Sequence, residues 1–333
     1  MADNTQLRPA LLETGAGLFA VLDGAQFDDL PAALFEGDFV YRSLYLDRGD
    51  GTVDRLRTAP QLVWLDRDRN SKERDNASHP SSVDPEILDR LLDLLAERPA
   101  VVFWQCDIGD RLYRHLRGIN KILFPRSAHT DRGKSDEPHP LSTAAGRERP
   151  ASPHELLVFR HADANVMAQV LPSLSSANVA RILGPADQVL FAADADWAER
   201  PMRLKRSDEL LPAPSGPLKL SPREVEAIGF RRAAALRSKR IRLLRRTSPS
   251  LFDDVPDDEV MSWAEQHERS GREIGLMTER GLLQWTYLMG GSKGRFADDP
   301  HIRAHLTSGP GLPDRKLDAV MSLMVRASRE SRR

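Results

Sequence analysis

Residues 84–99, DPEILDRLLDLLAERP, carry apolar side chains at helical spacing, and AVVFWQC follows at once as an unbroken apolar run. The first pattern places Ile87, Leu88, Leu91, Leu92 and Leu95 on one stripe of a helix, with Asp84 as its cap and Pro85 at its first position. The second has the length, β-branching and aromatic content of a buried strand. A one-faced helix beside a strand that is apolar throughout calls for helices layered on a sheet.

The same alternation runs through the first 200 residues. GLFAVLD, DFVYRSLYL, QLVWLD, KILF, LLVF and QVLFAA read as strands. DDLPAALFEG, with Pro31 near its start and Gly37 at its stop, GDRLYRHLRG and SSANVARILG read as helices. This predicts an α/β lobe over 1–200 with a mixed or partly parallel sheet. Residues 67–82 read as a loop. Residues 125–153, rich in Pro, Ser, His and charge, read as a mobile insertion.

From about Pro201 the character changes. LLPAPSGPLKLSP, with four prolines, marks a linker over 201–220. Residues 221–333 then show helical patterns alone and predict an all-α bundle. Within it Val260, Trp263, Ala264 and His267 share a face, Thr278 and Gly290-Gly291 bound a helix, Asp299 caps another ahead of Pro300, and Leu317, Val320, Met321 and Met324 align.

Composition narrows the function classes. A single cysteine, Cys106, excludes an internal disulfide and a cysteine metal cluster, and suits a reducing compartment. The net charge of −1 proposes no polyanionic partner. The start lacks a basic stretch followed by an apolar core, and no apolar run approaches the ~20 residues of a membrane helix. A cytoplasmic protein without a membrane partner is expected. His129, His139, His154 and His161 match no zinc spacing, GGSKG follows a helix and lacks the phosphate-loop spacing, and no cofactor or metal is expected.

LLVFRHADANVMAQVL (156–171) holds the most suggestive cluster. Asp163 stands just before a helical pattern, where an N-cap belongs. Arg160, at a strand end, can pair with Asp163 or with Asp23 at the end of the first strand. If the strands were parallel, Asp23, Asp107 and Arg160 would share the carboxyl end of the sheet, where α/β proteins place ligands, and with His161 would form an enzyme-like site. The second candidate is the basic segment 231–246, free of acids. Its helical projection turns Arg231, Arg242 and Arg245 outward, with Gly229, Ala233, Leu236, Leu243 and Leu244 inward. It reads as a solvated face, a dock for an acidic protein surface, or a phosphate-neutralising nucleic-acid site. Aromatic residues for base stacking are not interleaved, which disfavours nucleic acid.

The order of several segments resembles a known family. LFAVLDGAQFDDL, YRSLYL with APQLVWLD, AVVFWQCDIGDRLYRHLRGI, LLVFRHADANVMAQVLPSL with ILGPAD, and REIGLMTERGLLQWTYLMGGSKGRFADDPHIRAHL resemble the type VI secretion effector chaperones, or adaptors, that carry domain of unknown function 4123. By position the family's strand-end aspartate is Asp23, its Ala-Pro is Ala59-Pro60, its His-Leu-Arg is His115-Leu116-Arg117, and its Phe-Arg pair and following aspartate are Phe159-Arg160 and Asp163. The family's flanking tyrosine and proline are here Ala162 and Ala164. The resemblance implies a non-enzymatic binding protein. Its partners would be a cognate secreted effector, held by its N-terminal region, and the VgrG-type spike protein. Asp23, Arg117, Arg160 and Asp163 would then fix the architecture or line a docking crevice.

Overall fold

The computed structural model describes residues 4–15, 17–45, 57–66, 82–126, 153–210 and 213–330. The expected loop 67–82 and insertion 125–153 lie almost wholly outside the described residues, as do His129 and His139. The chain divides into two compact units, Met1–Arg232 and Ala233–Arg333.

The first unit contains α1 (Arg8–Glu13), β1 (Leu18–Leu22), α2 (Leu30–Glu36), β2 (Tyr41–Ser43), β3 (Gln61–Trp64), α3 (Pro85–Leu95), β4 (Val101–Gln105), α4 (Gly109–Gly118), β5 (Lys121–Pro125) and β6 (His154–Val158). It continues with α5 (Ala164–Val170), α6 (Ser176–Leu183), β7 (Gln188–Phe191), β8 (Met202–Lys205) and β9 (Leu218–Lys219). Helix α7 (Pro222–Thr247) contributes residues to both units.

Among the described residues six strands form one sheet in the order β2-β3-β1-β4-β7-β8, and three form another in the order β6-β5-β9. Every pairing in the larger sheet is antiparallel. The parallel pairing expected from the alternation of helices and strands occurs in the smaller sheet, between β5 and β9. Two strands, β8 and β9, fall in the stretch 201–220 that the sequence presents as linker.

The two-residue period of a strand builds a three-layer arrangement. Phe19, Val21, Val102, Trp104, Val189 and Phe191 face one core with Leu112 and Leu116 of α4, Met167 of α5 and Ile182 of α6. Leu18, Ala20, Leu22, Val101, Phe103 and Leu190 face the other, with Leu34 of α2 and the Leu88, Leu91, Leu92 and Leu95 stripe of α3. Buried on both faces, β1 and β4 read as continuous apolar runs.

The second unit is helical: the rest of α7, then α8 (Pro249–Phe252), α9 (Asp257–Glu273), α10 (Glu279–Gly291), α11 (Pro300–Thr307) and α12 (Pro313–Glu330). Val260 and Ala264 of α9 are buried with Ile241 and Leu244 of α7, and Leu282, Trp285 and Met289 of α10 are buried with Leu306 and Leu317. The fold is thus an α/β N-terminal region with mixed sheet content followed by an all-α region. Among the described residues no helix is long and apolar enough to cross a membrane.

Candidate functional site

Asp23, Arg160 and Asp163 meet. The guanidinium of Arg160 donates from Nη2 to Asp23 Oδ2 and lies 3.3 Å from Asp163 Oδ2. Each carboxylate also has a backbone task. Asp23 follows β1, is tied by its N–H to the Ala100 carbonyl at 2.9 Å, and accepts from Ala25 N–H at 3.2 Å to cap the short turn Gly24–Gln26. Asp163 is the N-cap of α5, accepting from Asn165 and Val166 N–H at 2.9 and 3.2 Å.

The electrostatics follow from depth. Burial pushes the Asp163 carboxyl above its ordinary value, and Arg160 and the capping amides offset only part of that. Burial works against the Arg160 cation, yet Asp23 above all holds it charged and raises its pKa. The Tyr45 phenol is raised by burial and by the Asp23 charge. The Asp23 side chain is 5% exposed and that of Arg160 44%, so one side of the cluster faces solvent.

His161 is buried, and the partner of its ring lies outside the Asp23–Arg160–Asp163 cluster. Its Nε2 lies 2.6 Å from Asn120 Oδ1, and its ring packs edge-on against Trp104 at 6.5 Å. Burial drops its pKa to about 3, so the ring is neutral. Asp107 is not part of the cluster either. Because β1 and β4 are antiparallel, Asp23 lies beside the start of β4 and Asp107 beyond its end, where Cys106 N–H meets the Gly17 carbonyl and Asp107 pairs with Arg111 at 2.8 Å. The shared strand end that an enzyme-like site requires is absent for this pair.

Arg117 is engaged elsewhere. It stacks 5.2 Å from the centre of the Tyr113 ring and donates to its hydroxyl at 3.3 Å. Its neighbour His115 brings Nε2 to 2.7 Å from the Ile182 carbonyl, and Gly184 leaves no room there for a side chain. Gly24 likewise lies against the backbone carbonyls of Arg57 and Ala59.

In the second unit three arginines of the basic helix pair with acids of α9. Arg237 pairs with Asp258, Arg240 with Glu268 at 2.7 Å, and Arg245 with Asp257 at 2.7 Å. Arg245, expected on the outward face, instead reaches across to the carbonyls of Phe252 and Val255. The buried positions of α7 in this unit are Ala235, Ile241 and Leu244. The stripe is therefore rotated from the Leu236 and Leu243 line that the helical projection gives. Arg231 and Arg242 are exposed.

Two features escaped sequence reasoning. Leu156 and Val158, 53% and 63% exposed, stand two residues apart on β6, an edge strand of the smaller sheet. The stretch reads as a core strand, and only its pairing partner reveals that one face is bare. Glu224, buried, joins the start of α7 to that of α6, which an S-x-x-E spacing at Ser221 announces only in part.

No family model, curated protein or solved structure matches the chain.

Proposed function

We propose that the chain is a type VI secretion effector adaptor, which holds a toxic effector in the cytoplasm and brings it to the VgrG-type spike. The observation that carries this reading is where the family-like segments meet. Asp23 of LFAVLDGAQFDDL bonds Arg160 of LLVFRHADANVMAQVLPSL. Gly24 rests on Ala59 of APQLVWLD, and His115 of DRLYRHLRGI rests on Ile182 and Gly184 of ILGPAD. Motifs far apart in sequence interlock at single contacts, as positions that together define one fold do. The groups of the Asp23–Arg160–Asp163 cluster cap turns and pair with each other, which favours architecture over catalysis.

For cargo, the edge of β6 supplies a surface. Among the described residues no strand pairs with the outer edge of β6, and such an edge accepts an added strand whose alternate side chains supply specificity. Leu156, Val158 and the opposite Leu123 lie on one face there. An apolar N-terminal segment of the effector suits that face. The arginines of α7 favour the nucleic-acid alternative less, since acids of α9 neutralise Arg237, Arg240 and Arg245.

The test is co-expression of the neighbouring effector with this protein, followed by size exclusion. The pair should co-elute, and the effector should lose solubility without its partner. Leu156→Asp with Val158→Asp should abolish co-elution while the protein stays folded. Separate elution, with the effector equally soluble and equally secreted in a deletion strain, rejects the reading.

A further inference from the structure

A pocket of about 380 Å³ opens at the end of α1, beside β4, β7 and β8, and every side chain lining it is polar or charged. Its floor is a preassembled chain of hydrogen bonds. Gln105 donates to the Thr14 carbonyl at 2.8 Å, Gln188 donates to Gln105 Oε1 at 2.8 Å, and Arg203 donates from Nε to Gln188 Oε1 at 2.7 Å. Gln188 is 3% exposed, so this chain is fixed. Arg203 is thereby held by Nε alone. Its Nη groups, and Nζ of Lys205, have no protein partner among the described residues. Alternate positions on β8 set these two side chains on one face, about 6–7 Å apart.

We infer that this pocket binds the oxyanion group, carboxylate or phosphate, of a small polar ligand, with Arg203 and Lys205 as its two cationic contacts. An arginine anchored through Nε presents its remaining N–H groups in a fixed plane, the geometry that carboxylate and phosphate oxygens match. The volume lies at the lower end of the range for small-molecule sites, roughly 300–1,000 Å³, and exceeds what a bare phosphate fills. An all-polar lining selects against apolar ligands. Glu13 and Asp187 also line the pocket, so the ligand carries hydroxyl or amino donors beside its oxyanion. The inference stands apart from the adaptor reading, because it concerns the β8 edge of the larger sheet, whereas β6 belongs to the smaller one.

The test is calorimetric titration of the whole protein with citrate, glucose 6-phosphate and inorganic phosphate, at constant ionic strength set with sodium chloride. Saturable binding of citrate or of glucose 6-phosphate, tighter than that of inorganic phosphate, is expected, and the tighter of the two distinguishes carboxylate from phosphate. Arg203→Gln with Lys205→Gln should weaken it by about tenfold or more, the scale of lost charge-assisted hydrogen bonds. Lys205→Gln alone leaves the Arg203–Gln188 bond intact and should weaken binding without lowering the melting temperature. The inference is overturned if none of the three anions saturates, or if these variants bind as the native protein does.

Discussion

Glu224 accepts hydrogen bonds from both the backbone N–H and the hydroxyl of Ser175, at 2.8 and 2.9 Å, across 49 residues of chain. The same carboxylate accepts from Ser221 N–H and hydroxyl, both at 2.8 Å, and from Asn178 Nδ2. One buried anion therefore closes the N-termini of α6 and α7 together. Burial opposes its charge, but the amides of Ser175 and Ser221 and the Asn178 and Ser221 side chains outweigh this and hold its pKa at about 2.

Glu224→Ala should cost about 2–3 kcal/mol, because the buried Asn178 amide and the part-buried donors of Ser175 and Ser221 lose their acceptor at once. Glu224→Gln, which keeps one acceptor oxygen, should cost less. The folded pKa is depressed, so the contribution is full above the ordinary value of 4.5 and is lost as pH falls from there toward about 2. Urea denaturation of the three proteins at pH 7 and pH 3 checks both points. The native protein should approach the alanine variant at the lower pH. A constant gap would show that folding does not depress the Glu224 pKa.

For Arg160 the half-exposed guanidinium sets the scale. A fully buried pair broken by truncation costs about 3–5 kcal/mol, whereas exposed pairs are worth about 0–1. With Asp23 buried and Arg160 open on one side, Arg160→Ala should cost about 2 kcal/mol. Asp163→Ala should cost about 1 kcal/mol through the lost cap, and Asp163→Ser should recover most of it. Chemical denaturation of these variants, with Asp23→Asn to close a double-mutant cycle on Arg160, separates the ion pair from the capping. A cycle with no coupling between positions 23 and 160 would show that the pair stabilises nothing.

Much of this cluster was legible in the sequence, and its limits have physical causes. The cap at Asp163 and those at Asp84, Thr278 and Asp299 follow from local rules that link a side chain to amides two or three residues on. The partners of Arg160 were named because both acids stood at element ends. Strand direction was not legible, since an intervening helix does not fix it. The chain between β3 and β4 holds α3, yet β1 lies between them in the sheet and pairs antiparallel with each. That geometry separates Asp107 from Asp23. Strands β8 and β9 escaped because one is an edge strand with alternating Arg and Lys and the other has two residues amid prolines. Local spacing does not place the inward face of α7, because Arg237, Arg240 and Arg245 turn toward acids of α9.

Buried His161 and part-buried His115 predict how the protein responds to mild acid. Burial lowers His161 to about 3 and His115 to about 4, from an ordinary 6.5. The unfolded chain therefore takes up protons that the folded chain refuses. Stability is full above about pH 6.5 and falls as pH drops from there toward 4, by about 1.4 kcal/mol per pH unit for each histidine. Between pH 7 and pH 5 this decline lies above the ordinary carboxylate range, so there the two effects separate. Denaturation midpoints between pH 7 and pH 5 should decline in the native protein, and His115→Gln should make that decline shallower, by up to about 1.4 kcal/mol per pH unit. An unchanged slope in that variant would show that His115 is protonated in the folded state.

Gly184 offers the sharpest test of how the family-like segments interlock. Its φ is +54°, a conformation that side chains other than glycine rarely adopt, and an added Cβ would fall on the imidazole ring of His115. Gly184→Ala therefore carries two costs: backbone strain of about 1 kcal/mol or more, and displacement of a ring held by the Ile182 carbonyl. Together they should destabilise by about 3 kcal/mol or more. The costs can be separated. In a His115→Ala background the ring is gone, so Gly184→Ala should then cost only the strain. The two substitutions should be non-additive, with the double variant more stable than the sum of the single losses predicts. Chemical denaturation of the four proteins measures this directly. Strict additivity would mean that the His115 ring does not occupy the space beside Gly184, and the contact that joins HLR to ILGPAD would be lost from the argument for a shared architecture.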